Sequence, residues 1–278
     1  MEMRVKHMQR NHCKCAGLRL AVIPLLFILM QPGNSQAGSI EDKGLAIAVE
    51  ADKRDSGYED ATASMIMILR NRHGQESQRS LRYQTLEVEN DGDMSLTIFD
   101  SPKDVKGTAF LNYTHKTGDD DQWLYLPALK RVKRISSSNK SGSFVGSEFA
   151  YEDIASQEVE KYTYKWLRDE IFDNRECFVV ERYPVDTKNS GYSRQVVWLD
   201  KDEYRTWQVK YYDRKNAHLK TLTFSDYQKY NNSFWRPDKM FMINHQTGKS
   251  TELQFSDYRF TVGLSSDDFS KNSLKRAK

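Results

Sequence analysis

The sequence predicts a mainly β chain: an antiparallel meander, curled into a barrel or half-barrel, behind one short helix. Three observations carry this. From Thr62 onward apolar and polar residues alternate with a period of two for about 200 residues. Clusters of Asn, Asp, Gly and Ser punctuate that alternation at hairpin-length intervals. Ahead of it, one segment shows a helical period.

The chain begins with a segment of different character. Met1–Arg19 is basic, Leu20–Met30 (LAVIPLLFILM) is apolar, and Ser35-Gln36-Ala37 places small residues at a cleavage site. Basic, apolar, small is the layout of a secretory signal peptide, expected over residues 1–37. The apolar run falls short of the roughly 20 residues that span a bilayer, although an uncleaved anchor is the alternative. Cleavage would leave a single soluble domain, residues 38–278, working outside the cytoplasm. That domain holds 37 Lys and Arg against 38 Asp and Glu, so it lacks the basic excess of a nucleic-acid binder.

In residues 41–55, Leu45, Ile47, Ala48 and Ala51 fall roughly on one helical face, and Gly57 ends the helix. Acids at its start and Lys53 and Arg54 at its end suit the helix dipole. The expected strands follow: 63–70, 81–89, 94–99, 107–113, 122–126, 132–136, 161–169, 177–183, 193–199, 205–212, 219–228, 239–244 and 250–260. Pro102, Pro127, Pro184 and Pro237 are placed at strand edges or turns, where a missing N–H is tolerated. Residues 137–160 interrupt the series. A flexible polar loop, 137–143, precedes one helical turn near Tyr151–Ser156. The insertion reads either as a lid or binding loop, or as a crossover that carries nothing.

Chemistry is sparse. His73, His115, His218 and His245 show no metal-ligand spacing, and no metal or cofactor is expected. Asp119-Asp120-Asp121 lacks the spaced ligands of a calcium loop. Glu152-Asp153 has no identifiable partner carboxylate for glycosidase work. Cys177 lies in a strand-like run without a neighbouring His, and reads as a small buried hydrophobe. No nucleophile elbow, P-loop or dinucleotide glycine pattern occurs, so the chain is not read as an enzyme.

Aromatic and long apolar side chains are abundant on alternate strand positions. Candidates for one lining are Trp123, Tyr125, Trp207, Val209, Tyr211, Leu222, Phe224, Leu253 and Phe255. They form either an ordinary core or the wall of an open apolar cavity, since one short helix supplies little filler for a curved sheet. Met65, Met67, Met240 and Met242 would add adaptable lining. Lys130, Arg131, Lys133 and Arg134 are either a solvated strand or a docking patch at the cavity mouth for anionic headgroups or an acidic partner. On a strand, Lys130 and Arg134 share the face of Val132, while Arg131 and Lys133 share that of Ile135.

Three runs resemble the outer-membrane lipoprotein-sorting family: Phe99–Leu111 (FDSPKDVKGTAFL), Asp121–Ile135 (DQWLYLPALKRVKRI) and Phe144–Asp153 (FVGSEFAYED). This is the LolA/LolB-like group of periplasmic carriers, which includes proteins linked to RND-type lipid exporters. The resemblance extends over about residues 40–270. It implies an unclosed antiparallel β-barrel whose apolar concavity is covered by helices and loop. It also implies a non-enzymatic periplasmic carrier of lipid or lipoprotein acyl chains, with an RND-type inner-membrane transporter or an outer-membrane acceptor as partner. A lipid- or peptide-sensing regulatory domain of the same fold is the alternative. The well-studied branch's lid-locking arginine has no position here.

Overall fold

The computed structural model describes residues 38–276; the expected signal peptide, residues 1–37, lies outside the described residues. Helix α1 spans Ile40–Asp55. It starts at a capping box, in which the Asp42 amide donates to Ser39 Oγ (3.0 Å) and the Ser39 amide to Asp42 Oδ2 (3.1 Å). It stops before Gly57, whose φ of +92° suits a residue without a side chain. The stripe that faces the protein is Gly44, Ile47, Ala48 and Ala51. Leu45, expected on that stripe, is exposed, because it lies a further 100° round from Gly44. Gly44 makes the closest approach: a Cβ there would sit 2.7–2.8 Å from the backbone of Lys165 and Trp166.

Thirteen strands follow. The first six are β1 (Asp60–Arg70), β2 (Glu76–Leu86), β3 (Met94–Ser101), β4 (Ala109–Tyr113), β5 (Asp121–Leu126) and β6 (Arg131–Ile135). The rest are β7 (Tyr162–Phe172), β8 (Arg175–Pro184), β9 (Tyr192–Asp200), β10 (Thr206–Asp213), β11 (His218–Tyr230), β12 (Phe234–Asn244) and β13 (Ser250–Phe260). All pair antiparallel in one sheet of order β6-β5-β4-β3-β2-β1-β13-β12-β11-β10-β9-β8-β7. Two hairpin meanders therefore meet at β1 and β13, and the outer edges, β6 and β7, stay unpaired with each other. The expected unclosed, mainly β architecture is what the chain adopts.

Pro237 is a correction. It lies inside β12, opposite Tyr227 of β11, rather than at a strand end. β12 pairs with β13 only from Lys239 to Ile243, so at Pro237 the strand has a neighbour on one side and needs no N–H on the other.

The insertion links β6 to β7 across the concave face. Its polar part is not a free loop: Ser137–Asn139 form a 3-10 turn, and Lys140 pairs with Asp186 (2.8 Å). The chain then doubles back at a Ser143–Ala150 bridge and forms a helical turn, α2 (Tyr151–Ile154). Phe144, Phe149 and Tyr151 bury themselves in the main core. On the convex face a separate cluster joins Leu96, Ile98, Leu111 and Trp123 to Phe269 and Leu274. The last two come from the C-terminal segment ending in α3 (Lys271–Arg276).

Candidate binding cavity

The concave face, α1 and the insertion together line a cavity of about 1020 Å³, at the upper end of the roughly 300–1,000 Å³ typical of ligand sites. Alternate residues of neighbouring strands build the apolar wall, because successive side chains on a strand point to opposite faces. Met65 and Met67 come from β1, Val209 and Tyr211 from β10, Leu222 and Phe224 from β11, and Leu253 and Phe255 from β13. Met240 joins them, while Met242 is fully buried behind in the core. α1 contributes Ile47, Ala48 and Ala51, and the insertion contributes Phe144, Phe149 and Ile154.

Six of the nine lining candidates therefore share one wall: Val209, Tyr211, Leu222, Phe224, Leu253 and Phe255. Trp123, Tyr125 and Trp207 do not. Trp123 and Tyr125 face the convex side, where Phe269 and Leu274 complete their packing. Their strand neighbour Leu124 is the one that enters the inner core. Trp207 should share the face of Val209, but the register between β9 and β10 shifts between Thr206 and Gln208. That irregularity breaks the parity. The Trp207 indole N–H instead donates to Asp200 (2.7 Å), and Arg175 lies 3.7 Å from its ring centre.

The basic run lies away from the cavity lining. Lys130 adopts a left-handed conformation that closes the Pro127–Leu129 turn, so it is not on a strand with Arg134. Arg131, Lys133 and Arg134 are exposed on edge strand β6, and Arg134 pairs with Asp121. Ile135 enters the inner core and Val132 packs on the convex cluster, so Arg131 and Lys133 belong to the concave side.

The polar groups of the cavity were not legible as a site. Asp153 of the insertion accepts from Lys220 (2.6 Å) and from the Tyr192 hydroxyl (2.8 Å). Both ionic side chains are nearly fully buried. Lys220 also donates to the Glu148 carbonyl (3.1 Å), so the pair ties the insertion to β11. Removing one member of such a pair costs about 3–5 kcal/mol. A second group is acidic: Asp52 of α1, Asp93 before β3, and Glu158 before β7. Asp93 accepts from the hydroxyls of Tyr58 (2.9 Å) and Ser156 (3.2 Å), and burial raises its pKa to about 6. Burial, then the charges of Asp93 and Asp52, push Glu158 up to about 7. In sequence these acids sit in a helix end and two loops, where a solvated carboxylate is the ordinary expectation.

The histidines serve local structure. His115 bonds Asp91 (2.7 Å), and His218 and His245 both reach the Thr221 hydroxyl (3.0 and 2.9 Å). Among the described residues no three metal-ligating side chains gather. Cys177 is fully buried, which pushes its thiol up to about 11.

Comparison with known proteins bears on the whole domain. No curated protein matches the chain. A family profile described as "uncharacterized protein" matches residues 91–276. A solved domain from Vibrio parahaemolyticus, described as an outer membrane lipoprotein-sorting protein domain, is 60% identical with a TM-score of 0.83, the match covering 85% of this chain and 100% of that one. A DUF1329 family protein from Desulfovibrio piger is 34% identical with a TM-score of 0.80, again over 85% of this chain and 100% of that one. A LolA superfamily protein from Nitrosomonas europaea shares 21% identity at a TM-score of 0.66, over 83% of this chain and 98% of its own; it speaks to the fold alone. With 60% identity across the whole of a lipoprotein-sorting domain, the chain belongs to the family of outer-membrane lipoprotein-sorting protein domains, and its sheet has the LolA-like fold.

Proposed function

We propose that the protein is a periplasmic carrier that shields lipid or lipoprotein acyl chains during transfer towards the outer membrane. The observation that carries this is the apolar cavity of about 1020 Å³ on the concave face of a lipoprotein-sorting fold. Each methylene buried there is worth about 0.8 kcal/mol, so a single acyl chain supplies ample binding energy. The polarizable Met65, Met67 and Met240 suit cargo that must also leave. In this reading α1 and the insertion are the cover, and residues 1–37 are a signal peptide removed after Ala37. N-terminal sequencing of the exported protein tests that cut; a retained Met1 overturns it. Among the described residues no helix is long and apolar enough to cross a membrane. The carrier shields its cargo without chemistry.

Uptake of a fluorescent fatty acid tests the cavity. Phe224→Asp and Leu253→Asp each place an unpaired charge in the wall. Each should cut uptake by about tenfold or more, with far-UV circular dichroism confirming a folded sheet. Undiminished uptake by both folded variants would reject this lining.

The basic edge, Lys130, Arg131, Lys133 and Arg134, would dock the carrier on anionic headgroups, on an RND-type inner-membrane transporter or on an outer-membrane acceptor. Near an anionic surface each cation contributes about 1 kcal/mol, screened by salt. Reversing Arg131 and Lys133 together should weaken association with anionic liposomes at low salt. If liposome binding is unchanged, the run is a solvated edge.

A further inference from the structure

Three elements bring carboxylates to the cavity mouth. Asp52 comes from the last turns of α1, Asp93 from the turn before β3, and Glu158 from the end of the insertion. Gly92 makes the approach possible: a Cβ there would lie 2.9 Å from Glu158 Oε1 and 2.6 Å from the Thr114 carbonyl oxygen. Glu158 is only 8% exposed, yet among the described residues no hydrogen bond and no ion pair within 4.0 Å reaches its carboxylate. Its oxygens still touch the open cavity, and a carboxylate enclosed to this degree is stabilised by a cationic partner.

Several other charges of the cavity are already matched. Arg54 is held by Glu50 (2.7 Å), Arg205 by Asp200 (2.7 Å) and Arg236 by Asp55. Asp153 is held by Lys220, while Arg182 has the neutral Gln195 (2.9 Å) and the Tyr162 ring as its partners. Lys116 is the cation among the lining residues whose charge acts on both Asp52 and Glu158, and it makes no ion pair within 4.0 Å. Lys116 is thus the loose cation that acts on Asp52 and Glu158, and Glu89 adds to the negative rim.

We propose that Glu158, with Asp52 and Asp93 in the same cavity wall, is the anchor of a cation subsite, and that the cargo is an amphiphile whose polar end carries an ammonium group. Its chain would lie along Leu222, Phe224 and Leu253. This rests on the acyl-chain reading of the cavity and adds the headgroup chemistry. An ammonium would give Glu158 the hydrogen-bond donor it lacks, and ionised partners make the stronger hydrogen bonds. The raised pKa values of Glu158 and Asp93 describe the same deficit: without a counterion, burial favours the neutral acids.

The test is displacement of N-phenyl-1-naphthylamine, a neutral fluorescent probe, from the protein expressed full length and purified after export. Dodecylammonium, dodecanoate and dodecanol compete at pH 7.5, below their aggregation limits. Dodecylammonium should displace the probe at about tenfold lower concentration than dodecanoate, with dodecanol between. Glu158→Gln, and Glu158→Gln combined with Asp93→Asn, should bring that ratio close to one in protein that still melts cooperatively. Equal displacement by the parent, a preference for dodecanoate, or an ammonium preference that survives in the folded Glu158→Gln protein would overturn the subsite. If dodecanol displaces the probe while no ammonium preference appears, the acyl-chain cavity stands and only the subsite falls. If none of the three displaces it, both readings fall.

Discussion

Glu158 also gives the folded state a pH signature. Its carboxyl titrates near 7 in the folded chain because it is buried, against about 4.3 for an exposed Glu. An acid with a raised folded pKa binds its proton more tightly when folded. The stability that Glu158 contributes is therefore full below about pH 4 and is lost as pH rises through 7. Glu158→Gln should leave stability unchanged at pH 4 and raise it by roughly 2–4 kcal/mol at pH 8, where the parent holds an enclosed charge. Urea unfolding at the two pH values checks this, and a gain that is the same at both would refute it. Single side chains were the least legible part of the sequence. Alternation tells which residues share a face, but not which face is concave. Trp123 and Leu124 are adjacent, and only the tail carrying Phe269 and Leu274 makes Trp123's side a covered one. Trp207 was lost to a one-residue irregularity that leaves no mark in the pattern.

At the scale of elements, α1 and the thirteen strands were legible, with ends displaced by a few residues, because each repeats its period long enough to be read. The insertion and the tail were not. Their buried residues come singly from turns, as Phe144, Phe149, Phe269 and Leu274 do, so no period announces them. The contact between α1 and β7 depends on one glycine. Gly44→Ala gains up to about 1 kcal/mol of helix propensity. It also forces a methyl group to within 2.7–2.8 Å of the β7 backbone, and overpacking of this kind costs typically about 1–3 kcal/mol. The net expectation is a helix that remains formed but sits off β7. Far-UV circular dichroism should be unchanged, the melting temperature lower, and stopped-flow uptake of N-phenyl-1-naphthylamine faster. Uptake and melting both like the parent's would show that β7 yields to the methyl group without releasing α1.

At the scale of the molecule, the two meanders put the cavity wall on their shared seam and leave β6 and β7 as open edges. An open edge offers unpaired N–H and C=O groups to any other strand, and proteins guard such edges. Here the guards differ. β6 is only five residues long and carries the exposed Arg131 and Lys133, so like charges repel an incoming copy. β7 is longer, eleven residues, and has α1 packed along it at Lys165 and Trp166. The basic run thus has a use whether or not it docks on a membrane. α1 has two duties as well: it walls the cavity, and it keeps β7 from recruiting a strand. On the proposed carrier reading, a movement of α1 that admitted cargo would also uncover that edge. The state most ready to load would then be the state most prone to self-association, and a carrier built this way would profit from opening briefly and at low concentration.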